Sequence, residues 1–170
     1  MVNHLKSWTP NRLAWEKLAG TFPEYIRENK WTRVPFHQNH KNTVKIDSGV
    51  YIICAYSPLR KYAAQNQQKL LFDQLYIPMY VGSGNLRQRF SQHSGDKPQN
   101  IRIREIRQCF NENLDYWFCV IDKSLAKKFE DALERCFNPY ANLMHPLKDK
   151  HSIMGDYILG KSVPVKTNKL

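Results

Sequence analysis

The apolar segment Val50–Ala55 (VYIICA) constrains the fold of this chain most. Its β-branched and aromatic residues run without a polar interruption, and it is bounded by Ser48-Gly49 and by Ser57-Pro58. Such a run between turn-forming residues predicts a buried strand. Ile77–Val81, which ends at Gly82-Ser83-Gly84, predicts a second, shorter strand.

The remaining pattern predicts a third strand and several helices. Tyr116–Ile121 is the third strand, and residues 60–75 predict a helical insert between the first two strands. The other predicted helices run from an Asn85 cap to about Gln92, from Ile101 to Phe110, and from a Ser124 cap to about Phe137. This order predicts an α+β fold, a small three-stranded sheet flanked by helices, because three strands are too few for a doubly wound sheet.

The chain divides into three predicted parts. Residues 1–42 predict a mainly helical N-terminal extension, in which Thr9 caps the first helix and Phe36–Asn42 is a polar linker. Residues 43–145 hold the three strands and form the core domain. Residues 146–170 predict a weakly structured tail.

The charge balance indicates a polyanionic partner. The chain has 26 Lys and Arg against 15 Asp and Glu, which gives a formal net charge of +11 and a pI near 9.6. Because the basic residues are scattered, they predict a binding face on a folded body, and nucleic acid is favoured over an anionic membrane surface. No stretch approaches the ~20 apolar residues of a membrane span, and the four cysteines form no CxxC pair. We expect a cytoplasmic protein with no membrane partner.

Five short elements stand in a specific order between about residues 46 and 145. From the N-terminal side they are Gly49-Val50-Tyr51, Tyr80-Val81-Gly82, Arg89 with His93 four residues on, Glu130, and Pro139 with Asn142. Together they resemble the GIY-YIG nuclease family. The resemblance implies the GIY-YIG fold, in which the three-stranded sheet is antiparallel, and an endonuclease that hydrolyses phosphodiester bonds of double-stranded DNA.

The resemblance assigns the two charged side chains. Glu130 is the expected ligand of Mg²⁺, for which Mn²⁺ can substitute, because a hard cation that keeps several waters needs few protein oxygens. Glu134, one helical turn later, competes for this role. Arg89 is expected to hold the scissile phosphate, because its guanidinium matches phosphate oxygens and keeps its charge. The family often has a lysine where this chain has Ser83.

The resemblance also assigns four uncharged side chains. Tyr51 is expected to orient the attacking water, and His93 to share its proton handling. Tyr80 is expected to line the site, and Asn142 to fix backbone or a catalytic neighbour. The plainer alternatives are core tyrosines and a loop-capping asparagine.

The mode of DNA binding and the biological class stay open. Arg87, Arg102 and Arg107 are candidates for DNA contacts, the last two as solvent-facing helix residues. The short chain favours a site-specific restriction endonuclease, with a structure-specific or phage-type nicking nuclease and a non-catalytic DNA-binding module as alternatives. Cleavage of both strands calls for a homodimer on DNA. The Trp-bearing extension is a candidate dimer contact, a DNA-gripping arm, or a cover over the sheet.

Overall fold

The computed structural model describes residues 11–56, 77–95, 98, 100–110 and 113–142. The predicted insert at 60–75, the tail at 146–170 and the Thr9 cap lie outside the described residues. The helices and strands are α1 (Arg12–Thr21), β1 (Trp31–Pro35), β2 (Ser48–Ala55), β3 (Ile77–Asn85), α2 (Leu86–Ser94), α3 (Ile101–Phe110), β4 (Leu114–Val120) and α4 (Lys123–Phe137). Short 3₁₀ helices cover Glu28–Lys30, Gln38–Thr43 and Tyr140–Asn142.

The described strands form one four-stranded antiparallel sheet in the order β1-β4-β2-β3. The α+β class is therefore shown, with one strand more than the three predicted. The additional strand is β1, which pairs with β4 from Trp31↔Cys119 to Pro35↔Asp115. Pro35 makes this strand look like a broken segment in the sequence. A proline is tolerated here because β1 is an edge strand and Pro35 is its last residue.

The interior strand β2 is buried on both faces, and the core is divided in two by the sheet. Tyr51, Ile53 and Ala55 contribute to one cluster, together with residues of α2 and α3; we call this side the tyrosine face. Val50, Ile52 and Cys54 contribute to the other cluster, together with residues of α1 and α4; we call this side the tryptophan face, because Trp31 and Trp117 pack against it.

The N-terminal extension is built into this core. Leu18 of α1 is 1% exposed, and the ring of Phe22 lies 4.9 Å from that of Phe129 in α4. The predicted linker is also packed, since Phe36 is buried and its ring lies 5.5 Å from that of Phe90. The segment from α1 to residue 43 thus packs on both faces of the sheet. The polar residues after Phe36 predicted a linker instead, so this packing was not expected.

Most helix ends follow local sequence signals. The Asn85 side chain accepts a hydrogen bond from the Gln88 amide and caps α2, as predicted. The cap of α4 is Asp122 rather than Ser124, because the Asp122 carboxylate accepts from the Ser124 amide at 2.7 Å. The helix ends at Phe137 and is capped by Asn138, whose φ of 44° is the left-handed conformation typical of a C-terminal cap. None of the helices in the described ranges is long and apolar enough to cross a membrane.

Candidate active site

The predicted site residues surround the edge strand β3. Tyr51 pairs with Gly82 across the β2–β3 ladder, and Ile53 pairs with Tyr80. Because side chains alternate along a strand, Tyr51 and Tyr80 lie on the same face, with ring centroids 5.9 Å apart. Gly82 leaves room for this arrangement, since a Cβ at that position would lie 2.5 Å from Cζ of Tyr51.

Tyr51 is joined to His93 by a buried hydrogen bond of 2.8 Å between Oη and Nε2. Tyr51 is 1% exposed and His93 is 7% exposed. Leu86 and Phe90 anchor α2 to the core and so turn His93, one helical turn after Phe90, toward the tyrosines. Nδ1 of His93 has no hydrogen-bond partner among the described residues.

Burial keeps both members of this pair uncharged. Burial, with the neighbouring phenols of Tyr80 and Tyr116, raises the pKa of Tyr51 well above 10, and the charge of Arg89 acts in the opposite direction. Burial, together with the smaller effect of the Arg89 charge, lowers the pKa of His93 to about 4. Near neutral pH the pair is therefore a phenol and a neutral imidazole.

Arg89 carries its charge at the surface beside this cluster. Its side chain is exposed, and Nη1 donates to Oε1 of Gln92 at 3.2 Å. Gly84 lies beneath it with φ +129°, a conformation that L side chains rarely adopt, and a Cβ there would lie 3.2 Å from Nε of Arg89. The turn between β3 and α2 thus sets the position of this guanidinium.

Glu130 approaches β3 from the tryptophan face. Val81 points into that face, so Ser83, two residues later, does too. The Ser83 hydroxyl donates a hydrogen bond to Oε2 of Glu130, and Nζ of Lys127 lies 3.2 Å from Oε1. Burial raises the pKa of Tyr80, Tyr51 acts in the opposite direction, and the charge of Glu130 adds a smaller increase. Glu130 is thus bound to β3 through Ser83, on the face of the sheet opposite to the tyrosines.

Asn142 holds the outer edge of β3. Its Oδ1 accepts from the Val81 amide at 2.8 Å, and its Nδ2 donates to the Val81 carbonyl at 2.7 Å and to Oε1 of Glu134 at 2.6 Å. Asn142 is thus placed to fix backbone, one of the two roles expected for it. Burial raises the pKa of Glu134, as does the charge of Glu130. Glu134 is hydrogen-bonded to the Asn142 amide, whereas Glu130 accepts a hydrogen bond directly from Ser83 of β3.

Glu130 offers carboxylate oxygens, the kind of ligand that a hard divalent cation binds. The side chain of Glu130 is 12% exposed. The ammonium group of Lys127, 3.2 Å from Oε1, already places a positive charge beside this carboxylate. Among the described residues there is no group of three or more His, Cys, Asp and Glu side chains arranged around a metal position. A Mg²⁺ ion held here would depend on one carboxylate, substrate oxygens and water, a coordination that Mg²⁺ commonly adopts.

The three arginines expected at a DNA interface all bind backbone carbonyls. Arg87 donates to the carbonyls of Val44 at 2.7 Å and Asn42 at 3.2 Å. Arg107 donates to the carbonyls of His93 and Gly95. The expectation that Arg102 faces solvent was wrong. It is 8% exposed, with Nη1 3.4 Å from the Tyr140 carbonyl, because the 3₁₀ helix Tyr140–Asn142 covers that side of α3.

Several residues of the site were missed by the sequence analysis. Lys127 lies one turn before Glu130 on α4, and helical spacing alone could have identified it. Tyr116 stacks on Tyr51 with centroids 4.9 Å apart, and no sequence signal marks it.

Comparison of the chain with known proteins returned no match to a family model, to a curated protein or to a solved structure.

Proposed function

We propose that this protein is a Mg²⁺-dependent endonuclease that hydrolyses phosphodiester bonds of DNA, as its resemblance to GIY-YIG nucleases implies. The observation that carries the proposal is the arrangement of side chains from four separate segments around one strand edge. Arg89 and His93 from α2 adjoin the tyrosines of the tyrosine face, and Glu130 of α4 is joined to Ser83 of β3 from the tryptophan face. A cation, a carboxylate and groups that can orient a water, all beside one strand, are what phosphodiester hydrolysis requires.

Arg89 is the side chain for the scissile phosphate in this mechanism. Its exposed guanidinium can bind two phosphate oxygens and stays charged as negative charge develops in the transition state. Gly84 has no Cβ to crowd Nε, so the guanidinium has room to lie next to β3. A cation bound by Glu130 would supply Lewis-acid stabilisation of the same phosphate oxygens.

The tyrosines and His93 are the groups that can orient the attacking water. Tyr51 is too deeply buried to contact water directly, whereas Tyr80 is half-buried and its ring centroid lies 5.9 Å from that of Tyr51. The hydroxyl of Tyr80 is therefore the phenol that can contact the attacking water, and the Tyr51–His93 hydrogen bond lies behind it. Because its pKa is about 4, His93 is neutral at neutral pH and leaves the positive charge of this cluster to Arg89.

Cleavage of supercoiled plasmid with and without Mg²⁺ tests this function. We expect Mg²⁺-dependent cleavage by the wild-type protein and a rate at least ~100-fold lower for Glu130→Gln, because removing one stabilising group costs roughly 10²–10³ in rate. Glu16→Gln, an exposed carboxylate on α1, is the matched control and should cleave normally. DNA binding without cleavage by the wild type would favour a non-catalytic DNA-binding module.

The products of the same assay separate the two nuclease alternatives. Accumulation of linear plasmid indicates cleavage of both strands, for which a homodimer on the duplex is the simplest arrangement. Accumulation of nicked circles alone indicates a nicking enzyme that acts as a single protomer. Sedimentation of the protein on a specific duplex gives the number of bound protomers independently.

The net charge of +11 adds support for a DNA substrate and a second test. If six to ten phosphates are contacted, the binding constant should fall by roughly 10³–10⁵ between 50 and 200 mM salt. A binding constant that does not change with salt would contradict phosphate recognition.

A further inference from the structure

Ser83 and Lys127 hold the two oxygens of Glu130 in different ways. We propose that Ser83 is a positioning residue that fixes Oε2, so that Oε1 is the oxygen offered to a divalent cation, and that Lys127 occupies Oε1 until the cation displaces it. This inference rests on the proposed function and identifies how the metal site is organised.

Ser83 is itself rigidly placed. It pairs with Val50 in the β2–β3 ladder, and two residues later Asn85 caps α2. Its hydroxyl donates to Oε2 across 47 positions of sequence. A hydrogen-bond donor on a fixed strand restricts the rotation of the carboxylate and determines which oxygen is left for other partners.

Lys127 marks Oε1 as the oxygen that faces a cation. Its Nζ lies 3.2 Å from Oε1 of Glu130 and 3.0 Å from Oδ1 of Asp131. The Lys127 side chain is 67% exposed, whereas that of Glu130 is 12% exposed. A carboxylate with so little contact with water needs an opposite charge beside it.

Lys127 can leave Oε1 at small cost. It keeps its ion pair with Asp131 and its contact with water, so the ammonium group itself stays compensated and solvated. A divalent ion at Oε1 would repel the ammonium group and replace its charge. Lys127 therefore competes with the metal for Oε1, whereas Ser83 holds the carboxylate in the orientation that binds the metal. The two side chains thus have opposite effects on metal affinity.

Mn²⁺ binding measured by electron paramagnetic resonance of the free ion tests these opposite effects, because it does not depend on cleavage. The Mg²⁺ concentration that half-saturates cleavage is the second measurement. The informative pair at position 83 is Ser83→Thr, which keeps a hydroxyl, and Ser83→Val, which has nearly the same shape without it. Both residues suit a strand, so their difference reports the hydrogen bond and not the fold.

We expect Ser83→Val to raise the half-saturating Mn²⁺ and Mg²⁺ concentrations by about 10–100-fold, as loss of a partner of a metal ligand does. Ser83→Thr should restore most of this affinity. Lys127→Gln should lower the half-saturating concentration by up to about fivefold, the effect of one exposed ion pair. Lys128→Gln, an exposed neighbour on the same helix, is the control and should change neither value.

Equal Mn²⁺ affinity of the Thr and Val variants would overturn the role of Ser83, and weaker Mn²⁺ binding by Lys127→Gln would overturn the role of Lys127. In both cases a wild-type protein that cleaves DNA would leave the proposed function standing. A wild type that neither binds Mn²⁺ nor cleaves DNA would overturn the proposed function and this inference together.

Discussion

The phenol of Tyr51 fills the space over its cross-strand partner Gly82, so these two residues determine each other's identity. The pairing is direct in the β2–β3 register, and a Cβ at position 82 would collide with the phenol oxygen. The same phenol is hydrogen-bonded to His93, so it cannot move away without breaking a buried contact. Tyr51 of the Gly49-Val50-Tyr51 segment thus explains why the Tyr80-Val81-Gly82 segment ends in a glycine.

Replacement of Gly82 by Ala should displace the Tyr51 ring. We expect the free energy of unfolding to fall by about 1–3 kcal/mol, the usual cost of overpacking a core. The hydrogen bond between Tyr51 and His93 should be disturbed as well, so cleavage should slow more than stability alone explains. Urea unfolding and plasmid cleavage measure the two effects.

Gly20→Ala is the control for this substitution. Gly20 lies within α1, and an added Cβ would have nothing within 4 Å. Ala should therefore stabilise the protein, by roughly 0.5–1 kcal/mol, because it favours the helical conformation. A neutral Gly82→Ala variant with unchanged cleavage would contradict the packing argument.

Replacement of Arg89 by Ala should remove transition-state stabilisation while leaving most DNA binding intact. We expect the cleavage rate constant to fall by roughly 10²–10³. Arg89→Lys should recover only part of this loss, because an ammonium group cannot bind two phosphate oxygens in one plane. Arg12→Ala, an exposed arginine with a side-chain exposure of 89%, serves as the control. Normal single-turnover cleavage by Arg89→Ala would refute this assignment.

The stability of the protein should decrease between pH 6.5 and pH 4 through His93. Its pKa is near 6.5 in the unfolded chain and about 4 in the folded protein. Above pH 6.5 neither state is protonated, and between the two pKa values only the unfolded state takes up a proton, so the free energy of unfolding falls as pH falls. Below pH 4 both states are protonated and the loss stops, at about 3 kcal/mol at most.

His93→Gln tests this linkage, because Gln offers Tyr51 a hydrogen-bond partner and does not titrate. Urea unfolding at several pH values should give a shallower decrease for the variant than for the wild type. The decrease due to carboxylates is common to both proteins and cancels in the difference. Identical pH profiles would show that His93 does not have the depressed pKa.

Replacement of Asn142 by Ala should loosen the outer edge of β3. It removes three hydrogen bonds, two with the backbone of Val81 and one with Glu134. Val81 is fully buried, so its backbone groups lose partners without gaining full access to water, at a cost of about 1–3 kcal/mol. Thermal unfolding should show a decrease of several degrees. Asn39→Ala, on an exposed 3₁₀ turn, should unfold near the wild-type temperature.

Local patterns of the sequence predicted the elements that depend on local interactions. Helix α3 begins and ends at the predicted residues, Ile101 and Phe110, and the Asn85 cap of α2 lies where it was predicted. Apolar periodicity and capping act within one or two helical turns, so the sequence alone is sufficient for them. The same is true of the apolar run at Val50–Ala55, which forms most of β2.

Tertiary structure decided the features that depend on distant partners. The strand β1 exists because β4 offers it an edge, and a short segment ending in Pro35 carries no independent strand signal. Arg102 is buried because residues 140–142 return to cover α3. Ser83 meets Glu130, and Asn142 meets Val81, only because α4 packs beside the edge strand. Residue types at separate positions suggest a set of catalytic groups, but only the packing of helices against the sheet fixes which atoms come within hydrogen-bonding distance.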